Sequence, residues 1–162
     1  MTRFVILAFA GALVLPAMAY AQFEADDWEL TLGGSGSNNH DFDTGDAAAS
    51  GSLGYFFDAN QEIALRQSVI WADGGSNWAG DTRFAYDYHF DSDPLVPFVG
   101  VNIGYVYGPN VEDTWIAGPE AGVKYFLNTT TFIQLIASYE FDLHGSLDEG
   151  AFFYGLGLGV RL

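Results

Sequence analysis

The stretch that decides the fold is Ala151–Leu162, AFFYGLGLGVRL. Its even positions are apolar: Phe152, Tyr154, Leu156, Leu158, Val160 and Leu162. Its odd positions are small or charged, Ala151, Gly155, Gly157, Gly159 and Arg161, with Phe153 the exception. Side chains on a strand point alternately to opposite faces. The stretch is therefore a strand with one apolar face and one narrow face that tolerates charge. Such a strand suits the wall of a membrane barrel, with lipid outside and a tight lumen inside.

The start of the chain reads differently. Arg3 is followed by an unbroken run of apolar and small residues from Phe4 to Leu15, then Pro16 and Ala17-Met18-Ala19-Tyr20-Ala21. A positive residue, an apolar core and small residues at the cleavage positions are the marks of a secretory signal peptide. The expected arrangement is a signal peptide over 1–21, cleaved after Ala21 or after Ala19, and a barrel domain over 22–162. The apolar run is too short to span ~30 Å of hydrocarbon as a retained helix. No cysteine is present, which excludes a disulfide scaffold and thiol chemistry. Beyond residue 21 only four cations, Arg66, Arg83, Lys124 and Arg161, stand against 21 acidic residues, a net charge of −17. That charge excludes nucleic acid as a partner.

The rest of the chain repeats the alternation of its end. Eight segments emerge, near 27–36, 46–57, 61–72, 81–91, 96–107, 117–127, 131–142 and 150–162. Each has ~10–12 residues, the length that crosses a bilayer when tilted. Asp58-Ala59-Asn60, Ser92–Leu95 and Asn128-Thr129-Thr130 carry the chemistry of tight reversals. Longer polar stretches alternate with them, near Gly36–Gly45, Asp73–Gly80, Gly108–Ile116 and Leu143–Glu149. Short periplasmic turns alternating with longer external loops point to an outer-membrane barrel. The predicted fold is an all-β, eight-stranded, antiparallel up-and-down transmembrane β-barrel.

Charge sets the direction of the faces. Arg66, Arg83, Lys124 and Arg161 all fall opposite the apolar row of their segment. A Lys or Arg facing lipid at mid-depth costs ~2–4 kcal/mol, so four of them force the apolar rows outward. The inward set is then Glu29, Glu62, Arg66, Arg83, Asp87, Glu120, Lys124, Glu140 and Arg161. An eight-stranded barrel has an interior just wide enough for side chains, and buried charges need partners. A packed ion-pair lumen follows. Gln67 on the apolar face, and Ile136 and Phe153 on the polar one, depart from the pattern.

Pro97–Tyr105 (PFVGVNIGY), Gly118–Phe126 (GPEAGVKYF) and the terminal strand resemble the small eight-stranded outer-membrane barrels, the group with OmpA-like and OmpX-like domains. The resemblance implies a Gram-negative outer membrane, contact with lipid and lipopolysaccharide, and recognition of the last strand by the barrel assembly machinery. In that family the last residue is usually Phe, where this chain has Leu162.

Three constellations invite chemistry. His144-Gly145-Ser146 is similar to the His-x-Ser pair of lipid A deacylases, in which His activates Ser. The acidic residue that orients the His there has no counterpart after Glu149, so a polar loop is the better reading. Acidic residues at His40–Asp46, Asp73, Asp81, Glu112, Asp113, Asp148 and Glu149 supply oxygen ligands suited to Ca²⁺ or Mg²⁺. No ordered calcium loop is spelled, and a solvated acidic rim is expected. Glu120 and Glu140 are a carboxylate pair without a cleft beside them. No catalytic residue, metal or cofactor is expected, and Trp78, Tyr107 and Trp115 read as interfacial aromatics. The expected function is structural or interactive, through external loops that meet envelope or host-surface proteins. The alternatives are a narrow channel, a lipid A-type hydrolase, or a soluble barrel with its apolar rows turned inward.

Overall fold

The computed structural model describes residues 23–38, 45–72, 77–92, 94–109, 111–144 and 150–162. The signal peptide expected over 1–21 lies outside these. Eight strands follow one another: β1 Trp28–Asn38, β2 Gly45–Phe56, β3 Gln61–Ala72, β4 Asn77–His89, β5 Leu95–Tyr107, β6 Thr114–Phe126, β7 Thr131–Asp142 and β8 Ala151–Arg161. Every neighbouring pair is antiparallel, and β1 meets β8 to close the barrel. The fold expected from the alternation is the fold observed. Strands of this length, tilted as barrel strands are, give a wall ~25 Å tall.

The turns at one end are locked by local chemistry. Asp58 Oδ1 accepts from the backbone N–H of Asn60 and of Gln61, both at 2.8 Å. Asn128 Oδ1 accepts from the N–H of Thr130 at 2.9 Å and of Thr131 at 2.8 Å. Asp and Asn side chains that mimic a backbone turn in this way favour tight reversals. At the other end two strands are longer than the alternation suggests. The fourth and sixth segments were expected at 81–91 and 117–127, yet β4 begins at Asn77 and β6 at Thr114. Trp78 pairs with Trp71 across the β3–β4 hairpin, and Trp115 packs edge-on against Tyr105 at 5.3 Å. These cross-strand aromatic contacts extend the hairpins. The connection over 73–76 is consequently as short as the turn over 57–60, so the two ends are less unequal than the sequence implies.

Faces sort by polarity. Leu65, Phe84, Val101, Leu135, Leu156 and Leu158 lie exposed on the outer surface, while Glu29, Glu62, Asp87, Glu120, Lys124 and Glu140 are buried inside. The soluble-barrel alternative, with apolar rows inward, is excluded by this arrangement. Gln67, out of pattern on the outer face, is satisfied there. It accepts from Thr82 Oγ1 at 2.7 Å and donates to Tyr107 Oη and the Asp81 carbonyl, both at 2.8 Å.

Glycines let the narrow lumen hold long side chains. A Cβ on Gly100 would stand 1.9 Å from Asp87 Oδ1, and one on Gly118 would stand 1.8 Å from the backbone oxygen of Tyr139. The first neighbour is a side chain; the second is backbone and has little room to yield. Gly118→Ala is expected to destabilise the barrel by ~1–3 kcal/mol through overpacking. Gly51→Ala, whose Cβ would meet nothing nearer than 3.5 Å, is expected to leave stability nearly unchanged. Urea unfolding of the two refolded variants measures the difference.

Candidate functional site: a charged and aromatic lumen

The lumen is built in layers from residues that strand alternation turns inward. Nearest the tight turns, Lys124 on β6 reaches between Glu29 on β1 and Glu62 on β3. Its Nζ donates to both carboxylates, at 2.9 Å to Glu62 Oε2. Thr31 Oγ1 donates to Glu29 Oε1 at 3.2 Å, and His89 Nε2 lies 3.4 Å from Glu62 Oε2. Lys124, Glu29, Glu62 and His89 are all fully buried.

Around this ammonium the barrel places aromatic rings. Lys124 Nζ lies between 4.9 and 5.5 Å from the ring centroids of Phe23, Phe56, Phe98 and Phe132. A cation near ring faces at this distance is favourable. Phe23, Phe56, Val96, Phe126 and Phe132 form one buried apolar cluster at the turn-side end. Phe23 comes from outside the strands. The chain reverses at Asp26, which has φ of 73°, and Phe23 stacks on Phe56 at 3.9 Å. The reversal is held by Asp26 N–H donating to the Phe56 carbonyl at 2.8 Å and Phe56 N–H donating to the Asp27 carbonyl at 2.9 Å.

The middle layer rests on two arginines. Arg66 on β3 donates through Nη1 to Glu120 Oε1 at 2.5 Å and through Nη2 to Asp87 Oδ2 at 2.6 Å. Arg83 on β4 donates through Nη1 to Glu140 Oε1 at 2.9 Å, and its Nε lies 2.7 Å from Asp81 Oδ1. Asn102 joins the two groups, its Nδ2 donating to Glu120 Oε2 at 2.6 Å and Glu140 Oε1 at 3.2 Å. Phe153, out of pattern on the polar face, lies under the Arg83 guanidinium at 5.1 Å. Six carboxylates, Glu29, Glu62, Asp81, Asp87, Glu120 and Glu140, share three cations here.

Eight of the nine inward residues named from the sequence meet in these layers. Arg161 does not join them. It lies at the turn-side mouth with Asp27 Oδ2 at 3.5 Å from its Nη1, because its strand reaches the barrel's end there. Asp81, expected on the acidic rim, is inside the lumen beside Arg83. Asp46 is on β2, and Glu112 and Asp113 are exposed between β5 and β6. His40, Asp41, Asp43, Asp73, Ser146, Asp148 and Glu149 lie outside the described residues. His144 Nδ1 faces Thr114 Oγ1 at 3.3 Å, while the Thr114 hydroxyl donates to Asp142 Oδ1 at 2.6 Å. This is the capping of a strand end, in which the Asp142 carboxylate is already engaged. Among the described residues no group of His and acidic side chains is placed to hold a metal ion.

Sequence reasoning left the phenylalanine cluster out of the site. Phe126 and Phe132 share the parity of the charged residues on their own strands, Phe56 shares that of Asp46 on β2, and Phe98 shares that of Asn102 on β5, which is the signal for an inward position. Phe23 precedes every alternating segment and carries no such signal.

No protein-family model matches the chain, and no curated protein matches it in sequence. Solved structures do. The N-terminal β-barrel domain of Pseudomonas aeruginosa OprF superposes with a TM-score of 0.66 at 21% identity, over 85% of this chain and 98% of that one. The outer membrane protein OprG of P. aeruginosa gives 0.60 at 14% identity, over 87% and 98%. Neisserial surface protein A gives 0.53 at 15% identity, over 84% and 94%. At these identities the likeness is one of fold.

The shared cations set up a test by subtraction. Lys124→Met leaves the buried Glu29 and Glu62 without the cation they share and is expected to cost ~3–5 kcal/mol. Adding Glu29→Gln and Glu62→Gln removes the stranded charges and is expected to recover most of that loss, read by the same urea transitions. The chain has the fold of the small eight-stranded barrels of bacterial outer membranes.

Proposed function

We propose that this protein is an outer-membrane β-barrel with a plugged lumen, acting structurally or by interaction through its external loops. The observation that carries this reading is the inversion of polarity. Apolar side chains cover the outside of the wall, and ion pairs with a phenylalanine cluster fill the inside. Water inverts that order in soluble proteins, whereas a bilayer favours it. Aromatic residues ring both ends of the wall, with Trp71, Trp78 and Trp115 toward the loops and Trp28, Tyr86 and Tyr88 toward the turns. Aromatic belts of this kind sit at the two membrane interfaces.

The surroundings implied are lipid and lipopolysaccharide along the wall. Assembly through the last strand by the barrel assembly machinery fits the chemistry of β8, and export by a signal peptide fits the composition of residues 1–21. Envelope or host-surface proteins are the partners that external loops offer.

A narrow channel is the second reading, and one observation favours it. Asp87 Oδ1, Asn102 Oδ1, Gln134 Oε1 and Glu140 Oε2 are buried and receive no hydrogen bond from the described residues. Buried oxygens of that kind are satisfied by internal water.

Two measurements on the purified protein separate these readings. A membrane barrel keeps its fold in detergent, so the unheated protein is expected to migrate differently from the boiled one. Identical mobility, together with recovery in the soluble periplasm, would refute the barrel assignment. In planar bilayers the plugged barrel is expected to give no discrete conductance steps at high salt. Reproducible steps would establish the channel in its place.

A further inference from the structure

One member of the buried aromatic cluster comes from outside the strands. Phe23 precedes β1, yet it is 3% exposed, while Glu24, Ala25 and Asp26 after it are exposed. Its ring stacks on Phe56 of β2 and stands edge-on to Phe126 of β6 and Phe132 of β7, at 5.4 and 6.1 Å. Val96 of β5 completes the cluster, and the His89 ring of β4 lies 5.7 Å away. Two clasps hold the strap of residues 23–27 at the mouth. Asp26 Oδ1 accepts from Tyr55 Oη of β2 at 2.6 Å. Asp27 Oδ2 accepts from the Glu24 N–H at 2.7 Å and faces Arg161 of β8. A cavity of about 60 Å³ has Phe23, Asn60, His89 and Val96 among its walls. Neither ring nitrogen of His89 has a hydrogen-bond partner among the described residues.

We propose that residues 23–27 form a late-closing lid. They seat only after the barrel has closed, and once seated they shield the His89–Lys124 layer from the turn side and slow reopening. The pocket for Phe23 does not exist in any single hairpin. It is assembled from the turn-side ends of β2, β5, β6 and β7, and β2 and β6 stand across the ring from one another. The Arg161 clasp likewise needs β8 beside β1. Contacts so distant in sequence repay the entropy of ordering the strap only when the wall has already brought them together. The strap does not hold its shape alone. Asp26 has φ of 73°, a region that L side chains avoid, and such a residue persists only where surrounding contacts over-determine it. Those contacts are the Tyr55 clasp and the two backbone bonds with Phe56.

The lid can lift without breaking the lumen's ion pairs. Lys124 keeps Glu29 and Glu62, which stand on β1 and β3, whether Phe23 is seated or not. Three of its four rings, Phe56, Phe98 and Phe132, belong to the wall and stay in place. The fourth, Phe23, lies 4.9 Å from Nζ and leaves with the strap. Its departure opens the cavity beside His89 to the turn-side mouth.

Folding and unfolding rates in detergent micelles, followed by tryptophan fluorescence, test the order. Contacts made after the transition state slow unfolding and leave folding untouched. Phe23→Ala is therefore expected to speed unfolding about tenfold or more and to change the folding rate by less than about twofold. Phe23→Leu gives the same signs at smaller size, should Phe23→Ala fail to refold. Phe132→Leu, which trims the same cluster from the wall, is expected to slow folding as well. Slower folding of the Phe23 variants, unchanged unfolding, or the same split of rates in Phe132→Leu overturns the inference. Reaction of His89 with diethyl pyrocarbonate, read by mass spectrometry of its peptide, is the second readout. Phe23→Ala is expected to react about tenfold or more faster than the wild type, as loss of a local cover requires, with its mobility change on heating retained. Equal rates show that the wall alone closes the turn side, and that refutes the lid.

Discussion

The structure depends on three cations inside the barrel, each shared between two carboxylates. Lys124 ties β6 to β1 and β3, Arg66 ties β3 to β4 and β6, and Arg83 ties β4 to β7. A lone charge inside so narrow a barrel would carry a desolvation cost that no neighbour offset. Sharing solves this for the cations and fixes the strands relative to one another. It also explains where the glycines stand. Gly54 lies where Glu62 needs room and Gly100 where Asp87 does, so a bulky inward residue on one strand faces an absent side chain on the next.

The same constraint accounts for the two kinds of plug. Near the turns the ammonium of Lys124 is enclosed by rings, and the apolar cluster seals that end with a phenylalanine from the segment before β1. Midway along, the guanidinium groups are partly open and hydrogen-bonded to carboxylates, with Asn102 bridging those carboxylates and Phe153 under Arg83. The lumen passes from a fully buried aromatic end to a less buried polar middle. Passage from end to end requires moving both layers.

Much of this was legible in the sequence, because alternation reports the face of every strand residue. Glu29, Glu62, Asp87, Glu120, Glu140, Arg66, Arg83 and Lys124 were placed inside by parity and by the cost of a charge in lipid. Parity says nothing about height along the barrel axis. Arg161 has the right face and ends at the mouth beside Asp27, since only strand register determines depth. Asp81 was read as a rim residue because the extension of β4 depends on the Trp71–Trp78 pairing, a contact between strands. Phe23 has no periodic context at all. Its position follows from the reversal at Asp26, which the sequence does not announce with a glycine or a proline.

The central claim is that the apolar rows face lipid and the charged rows face a closed interior. Nitroxide labels placed singly at Leu65, Val101 and Leu135 in liposome-embedded protein test it most directly. The account predicts frequent collisions with dissolved oxygen and few with a water-soluble nickel complex at all three positions. Labels that met the nickel complex freely would contradict it, by placing the apolar rows in water.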